Sequence, residues 1–313
     1  MTIAVEDVAE RIVAGVPAAI ARGISWCESG GDQAAQLLDR LPARGAHVVG
    51  VTGSPGAGKS TLVNRLVRGY RAQGATVAVV AVDPSSPITG GALLGDRVRM
   101  DSTVGDRGVF FRSLASRGAA GGLSDATRAA TQVLSAGGFD VVLVETVGAG
   151  QAEVAIMRVA DTVALVLQPG AGDEMQALKA GLMEIADVYV LNKADQPGIR
   201  QLKSEIKSLI SLRIPGEWKT PMVETSARQG TGIDDLIDAL RRHRDFLCAD
   251  ATGTDRATAG ARAEALRLAR AKLGTAIAAE QEAVLARLDA GELGEADAGH
   301  ELALRAARRI AES

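Results

Sequence analysis

The sequence is poor in aromatic residues, cysteine and histidine. Aromatic side chains make up 3% of the 313 residues, so the hydrophobic core has to be built mostly from Ala, Val, Leu and Ile. The two cysteines, Cys27 and Cys248, stand far apart and show neither a disulfide framework nor a metal-ligand spacing. The three histidines, His47, His243 and His300, are scattered and form no histidine-rich tract.

Long uncharged apolar runs and blocks of positive charge are also missing. No stretch has the length that a membrane-spanning helix needs, and the first residues, MTIAVEDVAERIVAG, carry acids early and contain no signal-peptide core. The net charge is −3 at pH 7 without a basic block, which argues against a nucleic-acid partner. These absences predict a cytoplasmic protein that neither crosses a membrane nor binds nucleic acid.

Runs of β-branched residues recur from residue 47 onwards. Continuous apolar runs are typical of strands that are buried on both faces of a sheet. The runs lie at residues 47–52, 76–83, 139–145, 161–168 and 187–192, with a shorter one at Met222-Val223. Segments of helical periodicity alternate with them, for example Lys59 to Gln73 and Asp234 to Phe246. The alternation predicts an α/β fold, a mostly parallel sheet with helices on both faces.

The two ends of the chain are predicted to be helical. Residues 4–42 predict two or three short helices, and residues 257–313 predict two helices with a turn near Ala290-Gly291. The second segment carries an apolar stripe made of Leu266, Leu268, Leu273, Ile277 and Leu285. Such a stripe needs a partner surface, and we expect a second copy of the chain, hence a homodimer. The predicted domains are an N-terminal helical extension over 1–45, an α/β domain over 46–250 and a C-terminal helical dimerisation arm over 251–313.

A glycine-rich segment joins the first run to the helix that follows. It reads Gly53-Ser54-Pro55-Gly56-Ala57-Gly58-Lys59-Ser60 and fits the phosphate-binding pattern G-x-x-x-x-G-K-[ST]. The glycines let consecutive N–H groups turn towards phosphate oxygens, and the helix adds its positive N-terminal end. Lys59 is expected to reach the β- and γ-phosphates, and the Ser60 hydroxyl to bind Mg²⁺. The predicted nucleotide contacts here are Ser54, Gly56, Ala57, Gly58, Lys59, Ser60 and Thr61.

A second motif, Asn192-Lys193-Ala194-Asp195, ends the last continuous run. The Asp195 carboxylate can accept hydrogen bonds from the N1–H and the 2-amino group of guanine, a pair of donors that adenine does not offer. Ser226-Ala227, after the short strand, fits a backbone contact with the guanine carbonyl. The sequence therefore predicts guanine specificity, with Asn192, Lys193, Asp195, Ser226 and Ala227 at the base.

Acids at the ends of two other runs are candidates for the metal and the attacking water. Glu145, followed by Thr146-Val147-Gly148, is expected to hold Mg²⁺ through water, and Gly148 to offer its N–H to the γ-phosphate. Asp83 is expected to bind a metal-linked water or to position the attacking water. Asp96 is a candidate ligand within the glycine-rich loop that follows. The predicted metal set is Ser60, Asp83, Asp96 and Glu145, and the catalytic candidates in this set of motifs are Lys59, Asp83 and Glu145.

Together these motifs resemble the MeaB/ArgK family of GTPases over roughly residues 10–250. The stretches that carry the resemblance are SPGAGKST, AVDPSSPITGGALLGDRVRM, VETVGAGQAE, LQPGAGDEMQALKAG and LNKAD. Members of that family are homodimeric G-protein chaperones of adenosylcobalamin-dependent acyl-CoA mutases. The resemblance implies Mg²⁺ and GTP or GDP as ligands and no directly bound cobalamin. It also implies a mutase partner, either methylmalonyl-CoA mutase or an isobutyryl- or 2-hydroxyisobutyryl-CoA mutase.

The resemblance further assigns three switch segments. Asp96 falls in the first, and residues 145–153 form the second. The third spans residues 170–181, where Gly172, Asp173, Glu174, Gln176 and Lys179 are expected to couple the nucleotide state to the mutase.

Small GTPases carry a glutamine four positions after the acid of the second switch, and this sequence does not. The corresponding residue is Ala149, and the nearest glutamine, Gln151, becomes the catalytic candidate. Slow intrinsic hydrolysis that the partner mutase accelerates is therefore expected, because supplying such missing groups is worth about 10³–10⁵ in rate.

Three other functions stay open at this point. A nickel-type metal-insertion GTPase usually has histidine-rich or Cys/His clusters, which this sequence lacks. A small-substrate kinase or transport ATPase is disfavoured by Asp195, which selects guanine. A non-catalytic binding module is disfavoured by the complete set of phosphate and Mg²⁺ residues.

Overall fold

The computed structural model describes residues 4–83, 105–115, 122–146, 156, 159–170, 186–211 and 218–249, and short stretches between 280 and 309. The chain divides into two compact units, Met1–Gly253 and Thr254–Ser313. In the second unit, the residues described as helical are 280–281, 283–288, 297, 301–302, 304–305 and 307–309. The domain limits at residues 45 and 250 and the dimerising role of the last segment stay predictions.

Strands and helices alternate through the first unit. In chain order they are α1 (Val5–Val13), α2 (Pro17–Ser29), α3 (Asp32–Arg40), β1 (His47–Gly53), α4 (Lys59–Ala72), β2 (Val77–Asp83), β3 (Val109–Ala115), α5 (Gly122–Ala136), β4 (Val141–Thr146), β5 (Thr162–Leu167), β6 (Val188–Leu191), α6 (Ile199–Ile210), β7 (Met222–Glu224) and α7 (Ile233–Ala249). Pro17 is the first residue of α2, a position that tolerates the missing N–H, and Gly30 follows its last turn.

Within the described residues, seven strands form one parallel sheet in the order β3-β2-β4-β1-β5-β6-β7. The predicted runs correspond to β1, β2, β4, β5, β6 and β7, which confirms the α/β fold class. Strand β3 was not predicted, because Arg112 and Ser113 interrupt its apolar run. All pairings between the strands are parallel, so the strands end at a common edge, where ligands of such sheets bind.

Helices cover both faces of the sheet with aliphatic side chains. On one face α1, α2, α3 and α5 pack against strand residues such as Val48, Ala78 and Val142. On the other face α4 and α7 pack against the neighbours of those residues, such as Val49 and Val79. Because successive strand residues point to opposite faces, a strand that is covered on both sides is apolar at every position.

Polar side chains meet at the edge of the sheet where the strands begin. His47 Nε2 lies 2.8 Å from Thr162 Oγ1, and Thr162 Oγ1 lies 2.8 Å from His243 Nδ1. His243 Nε2 lies 3.4 Å from Asp187 Oδ1. We call His47, Thr162 and His243 the histidine bridge. Its hydrogen bonds are all satisfied when both rings are neutral, since His47 then donates to Thr162 and Thr162 donates to His243.

Burial keeps these rings neutral. It lowers the pKa of His47 to about 3, with the charges of Arg244 and His243 acting in the same direction. Burial likewise lowers the pKa of His243 to about 4. Both residues are only 3% exposed. The histidine bridge is therefore an uncharged link between β1, β5 and α7.

The cysteines are both free thiols in the described part of the chain. Cys27 is buried in α2 and Cys248 is partly buried in α7. Burial raises the pKa of Cys27 to about 11, which keeps its thiol protonated and unreactive. No helix within the described ranges combines the length and the apolar character needed to cross a bilayer.

Candidate functional site

The glycine-rich segment forms a tight turn between β1 and α4. Gly53 has a φ of +140°, and a Cβ there would lie 2.1 Å from the Val166 carbonyl oxygen. Gly58 has a φ of +88°, and a Cβ there would lie 2.6 Å from Asn192 Nδ2. Both positions thus require glycine for the backbone angle and for space. The turn packs directly against β5 and against the asparagine of the second motif.

Lys59 begins α4, and its side chain folds back over the turn. Nζ donates hydrogen bonds to the carbonyl oxygens of Gly53, at 2.6 Å, and Ser54, at 2.8 Å. The side chain is buried, so its charge depends on these carbonyls. Ser54 Oγ is also buried and has no hydrogen-bond partner. The turn therefore holds a fixed cation beside a hydroxyl whose hydrogen bond is still to be made, an arrangement that suits an anion.

Ser60 and Glu145 come together above the middle of the sheet. The Ser60 hydroxyl donates a hydrogen bond to Glu145 Oε1. Glu145 lies in β4, paired in register with Val51 on one side and Ala81 on the other, and is 4% exposed. Asp83 is the last residue of the adjacent strand β2, one position beyond Val82, which is paired with Thr146. The backbone of Asp83 thus lies at the same edge.

The oxygens of Ser60 and Glu145 fit Mg²⁺. They are hard donors, and Mg²⁺ at phosphate sites takes one or two protein ligands and completes its shell with water and phosphate oxygens. Among the described residues no three His, Cys, Asp or Glu side chains gather into a metal cluster. The chain therefore offers a site for a nucleotide-bound Mg²⁺, with Ser60 and Glu145 as the candidate protein ligands.

The Asn192 side chain connects the glycine-rich turn to the loop that follows β7. Its Nδ2 donates to the Ala57 carbonyl oxygen at 2.7 Å. Its Oδ1 accepts hydrogen bonds from Thr225 Oγ1 and from the Ala227 amide, each at 3.1 Å. The side chain is buried, and all its partners belong to the protein. Asn192 thus acts as a bracket that fixes the distance between the turn and the loop that carries Ala227.

Asp195 lies at the exposed end of the second motif. The chain reaches it through Lys193, whose φ of +60° makes it the one non-glycine residue with positive φ among those described. The Ala194 amide donates to the Thr225 carbonyl oxygen at 2.9 Å, which holds the motif against the neighbouring loop. A hydrogen bond from the Ser226 side chain lowers the pKa of Asp195, as do its own backbone amide and the charges of Arg228 and Lys193. Asp195 is therefore a carboxylate at neutral pH, able to accept hydrogen bonds.

Ser226 and Ala227 lie on the loop between β7 and α7. The Ser226 amide donates to the Thr231 carbonyl oxygen at 3.1 Å, and the Gly230 amide donates to the Ser226 carbonyl oxygen at 2.7 Å. Both Ser226 and Ala227 are buried. The loop is a closed turn, and it lies beside both Asn192 and Asp195. We call residues 225–232 the base loop.

Several predicted site residues lie outside the described part of the chain. They are Asp96, Gly148, Gln151 and the third-switch residues Gly172, Asp173, Glu174, Gln176 and Lys179. For Asp83 the structure describes the backbone alone. The remaining predicted residues lie on the turn and the start of α4, on β4 and on the two loops that follow β6 and β7, at one edge of the sheet.

Two polar links near this site were not predicted from the sequence. Thr225, which holds Asn192, follows the short strand without any motif. Arg65, in the second turn of α4, donates hydrogen bonds to the base loop. Neither residue type is informative alone, since threonine at a strand end and arginine on a helix surface are both ordinary.

Comparisons with known proteins identify the family of this chain. Residues 20–282 match the model of a family described as methylmalonyl-CoA mutase-associated GTPase MeaB. A putative GTPase of Pyrococcus abyssi is 47% identical over 249 residues, which are 78% of this chain and 77% of that protein. The mitochondrial methylmalonic aciduria type A homolog of Mus musculus is 38% identical over 206 residues, 64% of this chain and 50% of that protein.

A solved structure also matches nearly the full length. The crystal structure of a LAO/AO transport system kinase superposes with a TM-score of 0.72 at 25% identity, covering 96% of this chain and 98% of that one. The family match covers far more than half of the chain, and it rests on the fold and motifs described above. This protein therefore belongs to the MeaB family of P-loop GTPases.

Proposed function

We propose that this protein is a Mg²⁺-dependent cytoplasmic GTPase that acts as a nucleotide-controlled chaperone of an adenosylcobalamin-dependent acyl-CoA mutase. The observation that carries the GTPase part is the Asn192 bracket, which ties a phosphate-binding turn to the base loop. The family description and the name of the mouse relative support the mutase as partner. Methylmalonyl-CoA mutase is the first candidate, and the isobutyryl and 2-hydroxyisobutyryl types are the others.

The turn and α4 bind the phosphates. The amides of Gly56, Gly58 and the first residues of α4 donate to phosphate oxygens, the helix N-terminus favours their charge, and the Ser54 hydroxyl gains a hydrogen-bond partner. Lys59 moves its donors from the Gly53 and Ser54 carbonyls towards the β- and γ-phosphates. Because Lys59 makes this short move when the nucleotide binds, little further reorganisation accompanies the build-up of charge in the transition state.

Four residues form the proposed metal set. Ser60 and Glu145, with Asp83 and Asp96, would hold the Mg²⁺, which would supply neutralisation of the phosphate charge. Gly148 offers its N–H to the γ-phosphate, while Asp83 and Gln151 orient the water. Hydrolysis is slow without the partner, since no glutamine occupies the position that small GTPases use.

The partner reads the nucleotide state through the third switch, residues 170–181, where Gly172, Asp173, Glu174, Gln176 and Lys179 face the mutase. No cobalamin binds to this chain directly. The protein works as a homodimer that the C-terminal arm, residues 251–313, holds together. Sedimentation velocity of the full chain at micromolar concentration should give a dimer, and a monomer would contradict this part of the proposal.

Asp195→Asn tests the assignment of the base site. The amide donates where the carboxylate accepted, so the variant should favour xanthine nucleotides, which carry an acceptor in place of the 2-amino group. The ratio of GTP to XTP affinity should fall by at least about 100-fold. Calorimetric titration with each nucleotide in the presence of Mg²⁺ measures it. Asp235→Asn, an exposed residue of α7, is the control and should leave the ratio unchanged. Full guanine preference in Asp195→Asn would refute the assignment.

The partner is tested by GTP hydrolysis at fixed GTP concentration with and without purified mutase. Addition of the cognate mutase should raise the rate by at least about tenfold, within the range that a supplied catalytic group provides. The three mutase types are compared in parallel. Equal rates with all of them and without them would contradict the chaperone proposal while leaving the GTPase assignment intact.

A further inference from the structure

Arg65 connects the phosphate-binding helix to the base loop. It lies in α4, six residues after Lys59. Nε donates to the Ala227 carbonyl oxygen at 2.8 Å, and Nη2 donates to the Arg228 carbonyl oxygen at 2.8 Å. The two donors of one planar guanidinium thus hold two successive carbonyls of the loop. A lysine ammonium has no such fork and would act as a point charge.

The contact completes the immobilisation of Ala227. On one side the Ala227 amide donates to Asn192 Oδ1, and on the other its carbonyl accepts from Arg65. Asn192 is anchored to the turn through Ala57, and Arg65 belongs to the helix that begins with Lys59. Both restraints on Ala227 therefore come from the structure that binds the phosphates.

We propose that Arg65 is a positioning residue for guanine recognition, which fixes the backbone of the base loop so that the Ala227 amide shares its N–H between Asn192 Oδ1, at 3.1 Å, and the purine 6-carbonyl. The proposal rests on the base site of the proposed function. A positioning contact differs from a purely stabilising contact in one respect. A stabilising contact changes how much protein is folded, whereas a positioning contact changes the relative affinities of folded protein for nucleotides that differ in the purine 6-carbonyl.

The experiment compares three diphosphates. GDP carries the 6-carbonyl, the N1–H and the 2-amino group, and IDP lacks only the 2-amino group. 2-Aminopurine riboside diphosphate lacks the 6-carbonyl and the N1–H, and the loss of the N1–H contact with Asp195 is common to all the proteins and cancels when the ratios of variant and wild type are compared. Dissociation constants are measured by calorimetry on the full chain with Mg²⁺. The variants are Arg65→Met, which keeps the length of the side chain without its donors, and Arg65→Lys. Arg68→Met, an exposed arginine of the same helix, is the matched control.

In Arg65→Met the preference for GDP over the 2-aminopurine nucleotide should fall by about 3- to 10-fold, the value of one hydrogen bond. The preference for GDP over IDP, which Asp195 sets, should stay within about twofold. Arg65→Lys should give an intermediate loss, and Arg68→Met should match the wild type. Thermal unfolding followed by circular dichroism confirms that the compared proteins are folded.

The outcomes separate this inference from the proposal beneath it. An unchanged GDP to 2-aminopurine ratio in folded Arg65→Met would overturn the positioning role and leave a stabilising contact only. An equal fall with Arg68→Met would also overturn it. If the wild type itself failed to prefer GDP over the 2-aminopurine nucleotide, the assignment of Ala227 to the guanine carbonyl would be wrong, whatever Arg65 does.

Discussion

The two edges of the parallel sheet bury polar groups in opposite ways. At the edge where the strands end, Lys59 and Glu145 are buried beside Ser54, whose hydroxyl has no hydrogen-bond partner. At the edge where they begin, the histidine bridge consists of uncharged groups whose hydrogen bonds are made within the protein. One edge keeps buried charge ready for a ligand. The other uses burial to remove charge, and it serves the fold.

A buried polar cluster that contributes to binding can therefore be distinguished from one that contributes to folding. A cluster that is complete without a ligand contributes to folding, and its loss should reduce stability alone. A cluster that is incomplete contributes to binding, and its loss should reduce activity more than stability. Four changes, in order of decreasing expected effect, test whether one edge of the sheet serves binding and the other serves folding.

Lys59→Ala should reduce GTP hydrolysis by at least about 10²–10³-fold, the value of a preorganised group that stabilises transition-state charge. The fold should persist, since the turn keeps its glycines and its packing against β5. Single-turnover hydrolysis with Mg²⁺ and far-UV circular dichroism measure the two properties. Lys207→Ala, an exposed residue of α6, serves as control. Wild-type hydrolysis in Lys59→Ala would remove this lysine from the catalytic set.

Thr162→Val should cost roughly 2–4 kcal/mol of unfolding free energy, because it leaves two buried imidazole nitrogens without their shared partner. The GTPase rate per folded molecule should not change. Urea denaturation measures the free energy. Thr131→Val, which removes a buried hydroxyl bonded only within α5 to Arg128, should cost less. A fall in the GTPase rate per folded molecule of Thr162→Val would mean that the two edges are not separate in function.

The free energy of unfolding should also decrease as the pH is lowered, because of the two rings of the histidine bridge. Both histidines have folded-state pKa values of about 3 and about 4, below the unfolded value of about 6.5. The unfolded chain therefore binds more protons, and the stability that is present above pH 6.5 is lost as the pH falls towards the folded values. From pH 7 to 5.5 the loss should be roughly 2 kcal/mol.

Urea denaturation at several pH values tests this prediction. His243→Gln is the comparison variant, because it removes one of the two titrating rings and should reduce the pH dependence to about half of its original slope. A wild-type protein whose stability is flat between pH 7 and 5.5 would show that the rings are not held neutral.

Glu145→Gln should have the smallest effect of the four. The amide can still accept the Ser60 hydrogen bond but loses its charge, so the Mg²⁺ concentration for half-maximal hydrolysis should rise by about tenfold. Titration of the GTPase rate with MgCl₂ measures it, with Glu205→Gln on the exposed side of α6 as control. An unchanged Mg²⁺ requirement would exclude Glu145 from the metal shell.

Much of the site could be predicted because phosphate and guanine impose strict demands on residue type. Gly53 and Gly58 are required by the backbone angles of the turn, and the proposed contact with the donors of guanine requires an acceptor such as Asp195, so these residues are visible in a single sequence. Strand β3 was missed, since a strand at the edge of the sheet tolerates Arg112 and Ser113.

There is a different reason why the Asn192 bracket and the histidine bridge were not predictable from the sequence. Both join residues far apart in the chain, such as His47 and His243, whose contact depends on the register of the strands between them. The histidines looked scattered in the sequence, yet a single threonine links two of them. Likewise, the motif marks Asn192 as a nucleotide residue, whereas its side chain is committed to protein partners.

The histidine bridge also helps to fix the register of β1 against β5, and with it the position of the turn at the opposite edge of the sheet. It joins the first residue of β1 to the first residue of β5. At their other ends β1 leads into the glycine turn, and the Leu167 carbonyl oxygen of β5 accepts a hydrogen bond from the Asn192 amide. Sliding β1 by one residue would shift the turn by about 3.3 Å and turn His47 towards the other face. The bridge therefore favours the one register in which the turn meets Asn192, and its loss lowers the stability of that register without changing the activity of the molecules that keep it.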